Sequence, residues 1–92
     1  MPRFFFDTDD GVQVIHDKDG INLPDAVWAR TEALMLLRDM IYGVPSTGRT
    51  ILGCVVRGED GLPVHRIMMT VEGEVPLSMK RREVSQPSAS SQ

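Results

Sequence analysis

Apolar and polar positions alternate at period two near the start of this chain, change to a helical period in the middle, and return to strand-like runs afterwards. "RFFFDT" (Arg3 to Thr8) is short and aromatic-rich, which suits a pleated strand. In "VQVIHD" (Val12 to Asp17), Val12 and Val14 flank Gln13, predicting an inward face, although Ile15 breaks the alternation. The acid-glycine stretch Asp9 to Gly11 between them predicts a turn, so the two runs read as a hairpin. After a second turn at "DKDG", Pro24 disfavours a helical Leu23 and keeps "INLPD" extended. Asp25 is then a candidate N-cap, good helix formers run to Tyr42, and Gly43 with Pro45 beyond closes the segment.

On a helical wheel Ala26, Ala29, Ala33, Leu36, Leu37 and Met40 share one side, and the alanines permit close approach to a sheet. "TILGCVVRG" (Thr50 to Gly58) is β-branched enough for a buried strand, and "EDG" supplies a turn. "LPVHRIMMTVEG" (Leu62 to Gly73) is its hairpin partner, with Ile67, Met69 and Val71 on one face and Met68 and Thr70 on the other. The expected architecture is α+β: two hairpins flank one helix (ββαββ), giving a mainly antiparallel four-stranded sheet with the helix on one face. Residues 1–73 form one small domain. Residues 74–92 form a polar, serine-rich tail that cannot bury enough apolar area to offset its ordering entropy, with disorder expected from about residue 87.

Leu34, Ile41, Trp28 and Met35 widen the helix's apolar arc beyond what one small sheet face can cover, which predicts a partner. Phe4, Phe6 and Trp28 are the candidate interaction surface, and a homodimer, by edge pairing or by packing around them, is the expected arrangement.

Composition narrows the partner class. The net charge of -3 gives no general pull toward nucleic acid or an anionic membrane. The basic cluster Lys80, Arg81 and Arg82 is the one place for phosphate contacts, and as a short run in a tail it reads first as a solvated charge cluster. The single cysteine, Cys54, lies in an apolar run and reads as a small core residue. A reducing cytoplasm suits it, and the opening residues carry neither a signal peptide nor a membrane span.

The acid-glycine clusters invite a calcium reading, which fails on spacing. With Gly20 at position six of an EF-hand loop, Ile15 and Ala26 fall at positions one and twelve, and neither can ligate. Gly11 and Gly61 fail likewise, through Phe6 and through Val56 with Ile67. A transition-metal site would need His16 and His65 to converge with Asp7 or Asp17, which the sequence alone does not establish. Cys54 with His65 is the only nucleophile-base pair to name, and apolar neighbours raise a thiol pKa. "STGRT" (Ser46 to Thr50) lacks the lysine and glycine spacing of a P-loop. No cofactor, metal or catalytic set is expected.

The elements also occur in a familiar order. "MPRFFFDT", the turn at Asp10 and Gly11, "DKDGINLPD", "AVWARTEALMLL" and "VRGEDGLPV" together resemble a family of small bacterial proteins, domain of unknown function 6894, over Met1 to about Val71. The shared pattern falls on Met1 to Phe6, Asp17 to Gly20, Leu23 to Asp25, and Ala29, Glu32 and Ala33. Many members carry histidine after the aromatic run, where this chain has Asp7. The resemblance implies the hairpin-helix-hairpin layout and no activity. The expected function is a non-enzymatic protein-binding or regulatory module that homodimerises, the alternative being a nucleic-acid-associated protein using Lys80 to Arg82.

Overall fold

The computed structural model describes residues 1–74. Strand β1 (Arg3–Asp9) lies inside a five-stranded, antiparallel sheet. Two short strands, β2 (Val14–Ile15) and β3 (Ile21–Asn22), both pair with the outer side of β1, one near each end. Helix α1 (Ala26–Met40) follows, continues as a single 3-10 turn at Ile41–Gly43, and leads to the long hairpin of β4 (Gly48–Arg57) and β5 (Pro63–Gly73). The sheet order is β2-β1-β4-β5, with β3 beside β1.

The α+β class and the single helix match the expectation, whereas a four-stranded ββαββ sheet does not. The expected second strand, Val12 to Asp17, is shortened to Val14–Ile15, and a fifth strand, Ile21–Asn22, forms in the segment expected to be extended after the turn, because residues 16–20 leave the strand path. There the Asp17 side chain, not a neighbouring strand, bonds the backbone: Oδ1 accepts from the N–H groups of Asp19 and Gly20, both at 3.1 Å, and Oδ2 from Phe6 N–H at 3.1 Å. The inward face expected for Val12 and Val14 is also absent. Val12 is 95% exposed, and Val14 and Ile15 are exposed as well, because Asp10 Oδ1 takes the N–H groups of Val12 and Gln13 into a turn before pairing begins.

The helix starts where its cap lies. Asp25 is extended, and its Oδ1 accepts from Val27 N–H at 3.0 Å and Trp28 N–H at 3.1 Å, satisfying two amides that have no intrahelical acceptor. Ala29, Ala33 and Leu37 are fully buried against the sheet, with Ala26, Leu36 and Met40 packed at the margin. Facing them are Phe4 and Phe6 of β1 and Leu52, Cys54 and Val56 of β4, with Ile67, Met69 and Val71 of β5 partly covered. Burying a side chain such as Leu37 contributes about 2 kcal/mol.

Backbone directions across the sheet follow from one hydrogen bond. Phe6 N–H points away from β4, toward Asp17, and Pro2 C=O likewise accepts from Leu23 N–H on that outer side. In an antiparallel ladder a residue's N–H and C=O point to the same side, and successive residues alternate. Phe6 opposes Val56 and Thr8 opposes Cys54, so Val56 and Cys54 direct their backbone groups to β5, where they oppose His65 and Ile67. Along β5, therefore, His65, Ile67, Met69 and Val71 bond to β4. Arg66, Met68, Thr70 and Glu72 turn their N–H and C=O groups to the open edge of the sheet.

Candidate functional site

The densest cluster of ionisable groups joins three distant segments at the outer side of β1. Asp7 is nearly buried, and Arg57, fifty residues away, grips it with two bonds: Nε donates to Oδ2 at 2.6 Å and Nη2 to Oδ1 at 3.0 Å. Such bidentate, charge-assisted contacts are among the stronger hydrogen bonds in proteins. Asp17 N–H donates to Asp7 Oδ1 at 3.0 Å, and Arg57 Nη2 also donates to Asp17 C=O at 3.1 Å. The guanidinium lies 5.2 Å from the centre of the Phe5 ring. His16 approaches from solvent, its Nδ1 3.5 Å from Asp7 Oδ2.

Electrostatics follow from this geometry. The Arg57 hydrogen bonds hold the Asp7 carboxyl below its ordinary pKa, against the opposing effect of burial and with help from the Asp17 amide. Burial works to raise Asp17, but the amides of Gly20, Phe6 and Asp19 outweigh it and leave its pKa lowered. Asp7 thus stays ionised with its oxygens engaged, which makes it a poor proton acceptor at neutral pH. Gly20 closes the loop at φ +73°, where an added Cβ would lie 2.8 Å from Arg3 Cγ and 2.9 Å from both Phe4 O and Phe5 Cε2. Arg3 donates to Asp19 C=O beside it.

The other candidates from sequence are scattered. His65 lies on the helix side of β5, its Nε2 2.7 Å from the Ala26 carbonyl at the start of α1, while His16 lies beyond β1 on the far side of the sheet. The two histidines do not converge, and among the described residues no group of three or more His, Cys, Asp or Glu is placed to hold a metal ion. Cys54 is buried, and that burial pushes its thiol up to about 11, so it is uncharged at neutral pH. Phe4 and Phe6 are 6% and 5% exposed. They are core residues, not surface ones, because β1 turns both rings toward the helix. Of the three expected surface aromatics only Trp28 is exposed. Lys80, Arg81 and Arg82 lie outside the described residues, as does the expected tail beyond Glu74.

Two surfaces of the sheet remain unpartnered among the described residues. The sheet face opposite α1 carries the exposed apolar residues Ile51 and Met68, and Met68 lies over Gly53, where an added Cβ would sit 3.2 Å from its sulfur. The edge of β5 runs eleven residues with no strand beside it. Arg57 as the partner of Asp7 left no trace in the sequence, because only the fold brings residues fifty positions apart together. The edge had a legible signal, the polar residues Arg66, Thr70 and Glu72 on one face of a long final strand. No helix among the described residues is long and apolar enough to cross a membrane.

A family model described as Domain of unknown function (DUF6894) matches residues 3–70. Among curated proteins and solved structures, none matches the chain.

Proposed function

Because the chain belongs to the DUF6894 family, whose description assigns no activity, function must be read from its own surfaces, and we propose that it is a non-enzymatic protein-binding or regulatory module that self-associates. The observation that carries this reading is the contrast between its polar and apolar groups. The ionised side chains that meet, Asp7, Arg57 and Asp17, bond one another and the backbone, and so hold the loop 16–20 onto β1. Ile51 and Met68, by contrast, face solvent on an otherwise regular sheet. An apolar sheet face and a long bare edge are the features by which small domains bind protein.

Affinity purification of the full chain from its host, with mass spectrometry and light scattering, tests this. The wild type is expected to recover a protein, either a second copy or another chain, that Met68→Glu loses while remaining folded. A monomer at high concentration that recovers no protein, or one whose recovery is indifferent to Met68→Glu, overturns the reading.

A further inference from the structure

Resting on that reading, we infer that the partner at the β5 edge is a second copy of this chain, joined antiparallel across a two-fold axis at Met69. Among the described residues, one of the two outer sides of the sheet presents a long, regular edge. Beside β1 the positions between β2 and β3 are already occupied by the loop 16–20, whose Asp17 takes the Phe6 N–H. At β5 the N–H and C=O groups of Arg66, Met68, Thr70 and Glu72 point outward over a regular stretch, the one register shift of the hairpin lying at Val56/Arg57. An edge this long, without lysine or an interior proline, lacks the usual protection against strand addition.

Charge selects the occupant and the register. Arg66 and Glu72 stand three residues either side of Met69, on the same face, with opposite sign. A two-fold axis at Met69 therefore sets Arg66 against the partner's Glu72 and Glu72 against the partner's Arg66. It also sets Met68 against the partner's Thr70. All of these are residues whose backbone groups point outward, so each pair exchanges two hydrogen bonds, about eight in all. On the helix side Ile67 meets the partner's Val71, and the two Met69 residues face each other at the axis as a non-hydrogen-bonded pair. Moving the axis to Met68 would set Arg66 against Thr70 and Glu72 against Val64. Moving it to Thr70 would set Met68 against Glu72 and run past the strand end at Gly73. Only the Met69 axis pairs both charges within the strand. Glu72 already has Arg49 opposite it on β4, and in the dimer it lies between two arginines.

The contact is isologous, so it closes at two subunits and does not propagate into a fibre. It makes one continuous sheet with both helices on one side and brings the Met68 side chains of the two copies together on the other. The exposed ion pairs contribute little affinity by themselves and act mainly by excluding other registers.

The test combines charge reversal with cross-linking, on the full chain, by analytical ultracentrifugation and oxidation. The wild type is expected to be a concentration-dependent dimer. Arg66→Glu creates two like-charged pairs and should weaken dimerisation about tenfold, whereas Arg66→Glu with Glu72→Arg should restore it once Arg49→Glu is added, so that position 72 keeps an opposite charge facing it on β4. Met69→Cys should form a disulfide between subunits on mild oxidation, since facing Cα atoms in such a pair lie about 4.5 Å apart. Ile67→Cys should not, its two copies lying roughly 13 Å apart in this register. A dimer indifferent to Arg66→Glu, unrescued by the triple variant, or cross-linked through Ile67→Cys overturns the register. A monomer overturns the inference, and if that monomer still recovers a different protein from the host, the broader function stands without it.

Discussion

At the scale of single residues, the loop 16–20 is held by charge on one side and by the absence of a side chain on the other. Asp7 has a lowered pKa in the folded chain, with Arg57 as the main cause. Its contribution to stability is therefore complete above the unfolded aspartate value of about 3.9 and is lost as pH falls through the lower folded value. Denaturation midpoints of the wild type and Asp7→Asn should differ throughout about pH 5 to 8 and converge only below about pH 4. A gap that closes near neutral pH would contradict the assignment. Gly20 and Gly11 both have positive φ, but only Gly20 is crowded, the nearest atom to a Gly11 Cβ being 3.7 Å away. Gly11→Ala should cost about 1 kcal/mol, from the backbone alone, and Gly20→Ala about 2 to 4 kcal/mol, because β1 must also shift. Equal losses in chemical denaturation would show that the loop does not press on β1.

At the scale of elements, the helix was the most legible part of the sequence. Its cap, its buried alanines and Leu37 all depend on spacing within fifteen residues, which local physics governs. Leu37→Ala should cost about 3 kcal/mol by leaving a cavity in the core, and Asp25→Ala about 1 kcal/mol by freeing two amides. Thermal melts of the two variants would check that ordering. The region after β1 was less legible. Alternation at Val12 to Val14 promised a second strand, but side-chain acceptors from Asp10 and Asp17 took the amides that a ladder would have used. Aspartate competes with strand pairing in this way, and period-two hydrophobicity does not register the competition.

At the scale of the whole molecule, one helix covers one face of a sheet, and the remaining face and the β5 edge define what the protein can do. Surplus apolar surface was legible in the sequence, but its location was not. Phe4 and Phe6 are consumed by the core, because the helix takes the side of β1 on which they lie, and the exposed apolar residues include instead Val27, Trp28 and Met35 on the helix and Ile51 and Met68 on the opposite sheet face. The Asp7–Arg57 pair was invisible for a related reason, since it depends on β1 and β4 becoming neighbours. Chain order cannot convey that.

The central claim, that β5 is completed by a second β5, is tested most directly by amide hydrogen exchange along that strand at low and high protein concentration. The amides of Ile67, Met69 and Val71 bond to β4 and should be protected at both concentrations. Those of Arg66, Met68, Thr70 and Glu72 should exchange rapidly when dilute and become protected when concentrated. Rapid exchange at these four positions at every concentration would contradict the account.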